Sequence, residues 1–310
     1  MFRLGRSLWR CAAVLTGLGL AGCESDFAPY GELSSLRVLA IESVPAAPAP
    51  GETTILTPLL YVPGGEAVTS SWSWCPVEGF ASDGFACPLA EQEAALALGA
   101  PVRYDLGSEP VARFEHRFDA ASLARFCSGA ELVAGGLGAI DCSEGLPVQI
   151  SLVVRTESDV VESVRRLRLR FSPDQVDNQN PTLEGISAFV SGASLALDDA
   201  GTVTLPREAD VELVAAVPEG AAEPVLPRAP GERERERLVL SWFVEAGETR
   251  YERTSSVEGE LPLERATRNT WTLPSSAEHE AREARLIVVV RDDRGGVGWE
   301  QARVVLGGAP

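Results

Sequence analysis

Few side chains in this sequence are equipped for catalysis. The 310 residues contain two histidines, His116 and His279. A Ser-His-Asp or Cys-His relay needs an imidazole to move the proton, so two histidines leave few ways to build one. His116 lies in Phe114-Glu115-His116-Arg117, which reads as a strand end. His279 lies in Glu278-His279-Glu280, without the second histidine of a zinc-protease helix. Both read as surface histidines. No Gly-x-Ser-x-Gly elbow, phosphate-binding loop or dinucleotide fingerprint occurs. A carboxylate pair drawn from the 45 acids could serve a glycosidase, but small β domains rarely form the deep cleft it needs. Sulfur is the other reactive element. The six cysteines contain no Cys-x-x-Cys, and with two histidines they make a poor zinc set. The expectation is a protein with no catalytic residues, no cofactor and no transition-metal site.

The N-terminus points to a compartment. Arg3, Arg6 and Arg10 precede an apolar run from Ala12 to Leu20, with no acid among them. Small residues then lead to a cysteine. This is the plan of a secretory signal peptide, and the run is too short to span a bilayer. Leu20-Ala21-Gly22-Cys23 resembles the bacterial lipobox. That resemblance implies cleavage after residue 22, lipid on Cys23 and a membrane partner held through that lipid. Glu24 stands where aspartate signals inner-membrane retention in enteric lipoproteins, so the expected location is the cell envelope, at the outer membrane, facing periplasm or surface. In an exported chain Cys75, Cys87, Cys127 and Cys142 read as two disulfides. Three pairings are possible. Proximity favours Cys75–Cys87 and Cys127–Cys142, each closing a loop worth roughly 3 kcal/mol in the chain-entropy model.

Removal of 22 residues takes three arginines and shifts the net charge from −18 to −21. Such a chain repels phosphate backbones, so nucleic acid is not an expected partner. The 288 residues left suit two domains of ordinary size.

Residues 23–35 read as a tether. Domain 1, residues 36–171, opens with β-like runs at Leu36–Ile41, Thr53–Val62 and Ser70–Cys75. The last places Trp72 and Trp74 on one face, because side chains two apart in a strand point the same way. The succession resembles the first three strands of bacterial immunoglobulin-like domains, where a tryptophan on the third fills the core. Residues 76–146 read as an insertion. It carries helices at Leu89–Leu98 and from Asp119, holds or borders all four cysteines, and has little core of its own. The sandwich resumes with Val148, Ile150, Leu152 and Val154, then Val160–Phe171. There Arg166, Arg168 and Arg170 share a face: a solvated strand surface balanced by acids, or a basic stripe for an anionic glycan or lipid headgroup.

Residues 172–181 read as the linker. Asp177-Asn178-Gln179-Asn180-Pro181 resembles the calcium-binding linker between cadherin repeats, which implies weak calcium candidates in Asp174, Asp177, Asn178 and Asn180. Gln179 departs from that pattern, and an Asx-rich turn explains the stretch equally. Domain 2, residues 182–308, reads as a second sandwich. Trp242 repeats the third-strand tryptophan, 217–237 form a charged solvated loop, and Ala284–Arg291 pairs with Val297–Leu306 as a hairpin.

The fold expected is therefore mainly β: two tandem immunoglobulin-like sandwiches, the first with a disulfide-bearing, partly helical insertion. The function expected is a non-catalytic lipoprotein that is structural or binds an envelope protein, with the insertion as principal contact. A carbohydrate-binding module for an envelope glycan is the alternative, and it needs exposed rings from Trp72, Trp74, Trp271 and Trp299. A calcium-stiffened adhesin and a cryptic glycosidase are weaker alternatives.

Overall fold

The computed structural model describes residues 29–129, 140–225, 234–257 and 261–307. Cys23 and the lipobox lie outside them. In the N-terminal half the strands are β1 (Arg37–Val44), β2 (Thr53–Tyr61), β3 (Thr69–Cys75), β4 (Asp105–Gly107), β5 (Ala112–Glu115), β6 (Leu146–Arg155) and β7 (Val160–Leu169). They form two facing sheets, β1-β2-β5 and β4-β3-β6-β7, with every pairing antiparallel. Two-residue alternation turns Trp72, Trp74, Val148, Ile150, Leu152 and Val154 into the space between them, where all are buried. Pro58 falls beyond the span that β5 covers, on a stretch of β2 with an open outer edge, where a missing N–H costs no ladder bond.

The stretch 76–146 is less separate than its sequence suggests. β4 and β5 lie within it and join opposite sheets. Its helices α1 (Glu91–Leu98) and α2 (Ala120–Ser128) place Ala94, Leu98, Leu123 and Phe126 in the same buried cluster as Trp72 and Trp74. Helices this short cannot hold themselves in water, so they shelter their apolar faces on the sandwich core. Asp119 caps α2, its carboxylate accepting the Ser122 N–H at 2.7 Å.

The C-terminal half contains β8 (Ile186–Val190), β9 (Ala193–Leu197), β10 (Thr204–Pro206), β11 (Asp210–Ala215), β12 (Val239–Val244), β13 (Glu248–Thr249), β14 (Arg253–Ser255), the one-turn α3 (Leu263–Ala266), β15 (Arg268–Thr272), β16 (Glu283–Arg291) and β17 (Val297–Gly307). Its sheets run β10-β17-β16-β12-β14 and β13-β15-β11-β8-β9. Trp242 and Trp271 are buried between them, and β16 and β17 form the expected hairpin.

A third apolar cluster joins the halves. Leu39, Ala40, Leu59 and Tyr61 from β1 and β2 pack on Phe243, Ile287, Val289 and Val297 from the outer face of the β12-β16-β17 sheet. A bulge at Leu39 supports the contact. Its carbonyl accepts a hydrogen bond from Arg291 of β16.

The run expected to be a tether through residue 35 is, from Tyr30 onward, a docked strap. The Val244 N–H donates to Gly31 O, and the Leu33 N–H to Val244 O, both at 2.9 Å. Tyr30 packs on Phe243, with ring centroids 5.2 Å apart, and Arg253 lies 3.8 Å from its ring centre. Leu33 is 2% exposed. The strap occupies the edge of β12 beyond the end of β14, so its backbone groups find partners there.

Candidate binding surface

Disulfides join Cys75 to Cys87 and Cys127 to Cys142. Inside the first loop a side chain from β6 does the bracing. Buried Gln149 accepts the Gly79 N–H at 2.9 Å and donates to Phe85 O at 2.7 Å. The backbone crosses itself here so tightly that a Cβ on Gly79 would lie 2.4 Å from Ala86 O. Phe85 adopts φ +57°, a conformation that side-chain-bearing residues rarely take. The loop that results holds Phe80 58% exposed and Phe85 37% exposed, and Leu96 on α1 is 82% exposed.

A groove of about 480 Å³ opens beside this loop region, where the free edges of β4 and β5 leave the sandwich unclosed. Trp74, Phe114 and Phe118 lie beneath it, the Trp74 and Phe114 centroids 5.0 Å apart and edge-on. The Trp74 indole N–H donates to Arg103 O at 2.6 Å. Arg103, Arg113, Glu115 and Arg117 line its mouth. Arg117 pairs with Glu115 at 2.5 Å, whereas the guanidinium groups of Arg103 and Arg113 have no ion pair or hydrogen bond among the described residues.

The other residues singled out by sequence take structural places. Trp72, Trp74 and Trp271 are core rings. Trp299 is half-buried against the cluster between the halves. Among the described residues these tryptophans form no row of exposed rings. Of the arginine stripe, Arg166 pairs with Glu78 and Arg168 with Glu144. Arg170 is buried, donating to Ala47 O at 2.8 Å and lying 3.3 Å from Glu52. His116, read as a surface residue, is fully buried. Its Nε2 donates to Arg170 O at 2.9 Å, which leaves Nδ1 to accept the Phe118 N–H at 3.4 Å. Burial holds its pKa below the ordinary imidazole value, so it is a neutral tie between β5 and β7. His279 is half-buried and its Nε2 lies 3.3 Å from Glu283 O.

The linker is pinned rather than loose. Asp174 is exposed and makes no hydrogen bond or ion pair among the described residues. Asp177 faces Arg170 at 3.7 Å. Asn178 is buried and donates to Asp292 at 3.3 Å. Asn180 donates to Ser43 O at 2.9 Å and accepts the Val297 N–H at 3.0 Å, tying both halves. Among the described residues no three acidic, histidine or cysteine side chains converge as a metal set.

The charged loop expected to be wholly solvated is not. Residues 226–233 lie outside the description, but Glu236 is buried. Its carboxylate accepts the Glu223 N–H at 3.0 Å and lies 3.3 Å from Arg294. Burial first, and then the neighbouring Asp292, push its pKa up to about 7, and burial also raises that of Asp292. Perturbed acids of this kind often mark an active site. Here the Glu236 side chain has no exposed surface, so substrate has no access to it and the pair belongs to the joint.

No family model matches this chain, and no curated protein does either. Solved structures similar to it include a chimeric titin Z1Z2 tandem, at 9% identity over 88% of this chain and 99% of that one, TM-score 0.27. The D00-D0 region of intimin is 8% identical over 88% and 98% of the chains, TM-score 0.24. A bacterial ice-binding adhesin is 10% identical over 89% and 66%, TM-score 0.21. At such scores whole-chain superposition is poor, and the fold rests on the sheets described above.

Proposed function

We propose that this is an exported, lipid-anchored and non-catalytic module that presents the disulfide-braced end of its first domain to a protein partner. One observation carries the reading. Phe80, Phe85, Leu96 and Val111 all fall within residues 76–146, and they are among the large apolar side chains exposed on the described surface. Two of them ride on a loop fixed by a disulfide and by Gln149. A pre-ordered apolar surface binds without the ordering cost that a floppy loop meets. Disulfides fit an oxidising compartment, and the signal sequence supports lipid on Cys23. Burial of the tryptophans favours this reading over a carbohydrate-binding module.

The test is crosslinking and pull-down from intact envelopes. Wild type is compared with a Phe80→Ser/Leu96→Ser variant and with a chain lacking residues 226–233. Loss of the captured partner in the first variant alone is expected; unchanged capture would remove the proposal. Cys23→Ser should abolish fatty-acid labelling in the same cells, and a labelled Cys23→Ser protein would refute the anchor.

A further inference from the structure

We propose that the free edge of β5 is a docking strand for an extended, acidic segment of a partner protein. This rests on the reading that the partner contacts domain 1. β5 pairs with β2 on one side, and no described strand covers the other. The backbone register fixes which groups face outward. The His116 N–H donates to Glu52 O and the His116 carbonyl accepts from Gly51, so residue 116 bonds toward β2. Alternation then turns the N–H and C=O of Arg113 and Glu115 to the open edge. An added strand would satisfy them, which is how extended peptides join exposed sheet edges.

Charge selects the segment. In a chain of net charge −18, the groove mouth holds Arg103, Arg113 and Arg117 against one acid, Glu115. Arg103 and Arg113 have no carboxylate of their own among the described residues, so acidic side chains on the incoming strand would supply their counter-ions. A sugar fits less well. Trp74 is 5% exposed, Phe114 2% and Phe118 4%, so none offers a ring face for stacking.

The probe is a labelled octapeptide of alternating glutamate and valine, titrated with the full mature chain in detergent and read by fluorescence anisotropy. Salt-sensitive binding is expected, with no binding by the lysine–valine counterpart. Arg103→Glu/Arg113→Glu should weaken it by about tenfold or more. Arg103→Gln/Arg113→Gln should weaken it less, and both residues are exposed, so near-ultraviolet circular dichroism should stay native in either variant. N-methylation of the peptide in one of the two alternating phases should abolish binding, since a docked strand offers every second N–H. No binding, equal binding by the charge-reversed variant, or indifference to N-methylation in both phases would overturn the proposal. So would a sulfated oligosaccharide binding where the peptide does not. If the peptide fails while Phe80→Ser/Leu96→Ser still loses the envelope partner, the groove is dismissed and the wider reading stands. If that variant keeps its partner, the wider reading falls with it.

Discussion

Glu236 shows what a single residue can conceal in a sequence. In Glu232-Arg233-Glu234-Arg235-Glu236-Arg237 it is one of three like acids, and local pattern cannot say that it is buried while Glu234 is exposed. Arg294 and the Glu223 backbone hold it, and both arrive through tertiary contacts. His116 is the same case, since its partner carbonyl lies 54 residues away. Cysteine pairing was legible because neighbours in sequence could be close in space. The raised pKa of Glu236 has a defined consequence. Its folded form holds a proton more tightly than the unfolded chain does, so stability falls as pH rises from the unfolded value near 4.5 to about 7, then levels off. The effect is on the order of 3 kcal/mol. Glu236→Gln keeps an acceptor for Arg294 and removes the titration. Thermal melts from pH 5 to 8 should show a smaller decline for the variant than for wild type. Parallel curves would show that Glu236 does not titrate in this window.

At the scale of elements, period-two reading located the strands that bury one face. It marked Trp242 as a core ring, and Leu240, Trp242 and Val244, two apart along the strand, are all buried. The opposite face was the missed signal. Leu286-Ile287-Val288-Val289-Val290 is apolar at every position, which indicates a strand covered on both sides. Ile287 and Val289 look away from the second sandwich and into the first. The strap was missed because Pro29 and Gly31 mark a flexible run, whereas its partners lie in β12, more than 200 residues on. With lipid on Cys23 as proposed, seven residues, at most roughly 25 Å when extended, would separate the anchor from the strap. Domain 2, as well as domain 1, would then sit beside the anchor. Leu33→Ala removes the buried anchor of the strap and should cost about 2–4 kcal/mol. Limited proteolysis should then release the N-terminal residues before either sandwich is cut. Cleavage no faster than in wild type would show that the strap is held by its backbone bonds alone.

For the molecule as a whole, the question is whether two sandwiches behave as one body. Linkers between such domains usually permit motion unless the interface is large and apolar. Here Leu39, Leu59, Tyr61, Phe243, Ile287 and Val289 form an apolar seam. Arg165 of β7 crosses to Gly295 O at 2.6 Å and meets Ser43 at the same distance, with burial lowering its pKa to about 10. Arg294 reaches back from the β16–β17 turn to Asp177 O at 3.0 Å. Arg170 faces the linker acid Asp177 and Arg294 faces Glu236, so side-chain cations already stand beside acids at the joint, and we expect it to hold without calcium. Calorimetry should therefore show one cooperative transition for the whole chain, at the same temperature in 1 mM calcium and in chelator. Phe243→Ala opens the middle of the seam and should cost about 3–5 kcal/mol. Since Phe243 belongs to the seam rather than to the core of domain 2, the expected signature is a transition that splits in two, with the second sandwich retaining its own Trp242 and Trp271 packing. Two transitions already present in wild type would mean that the halves fold independently. A transition that moves or divides when calcium is removed would mark the linker as a cation site.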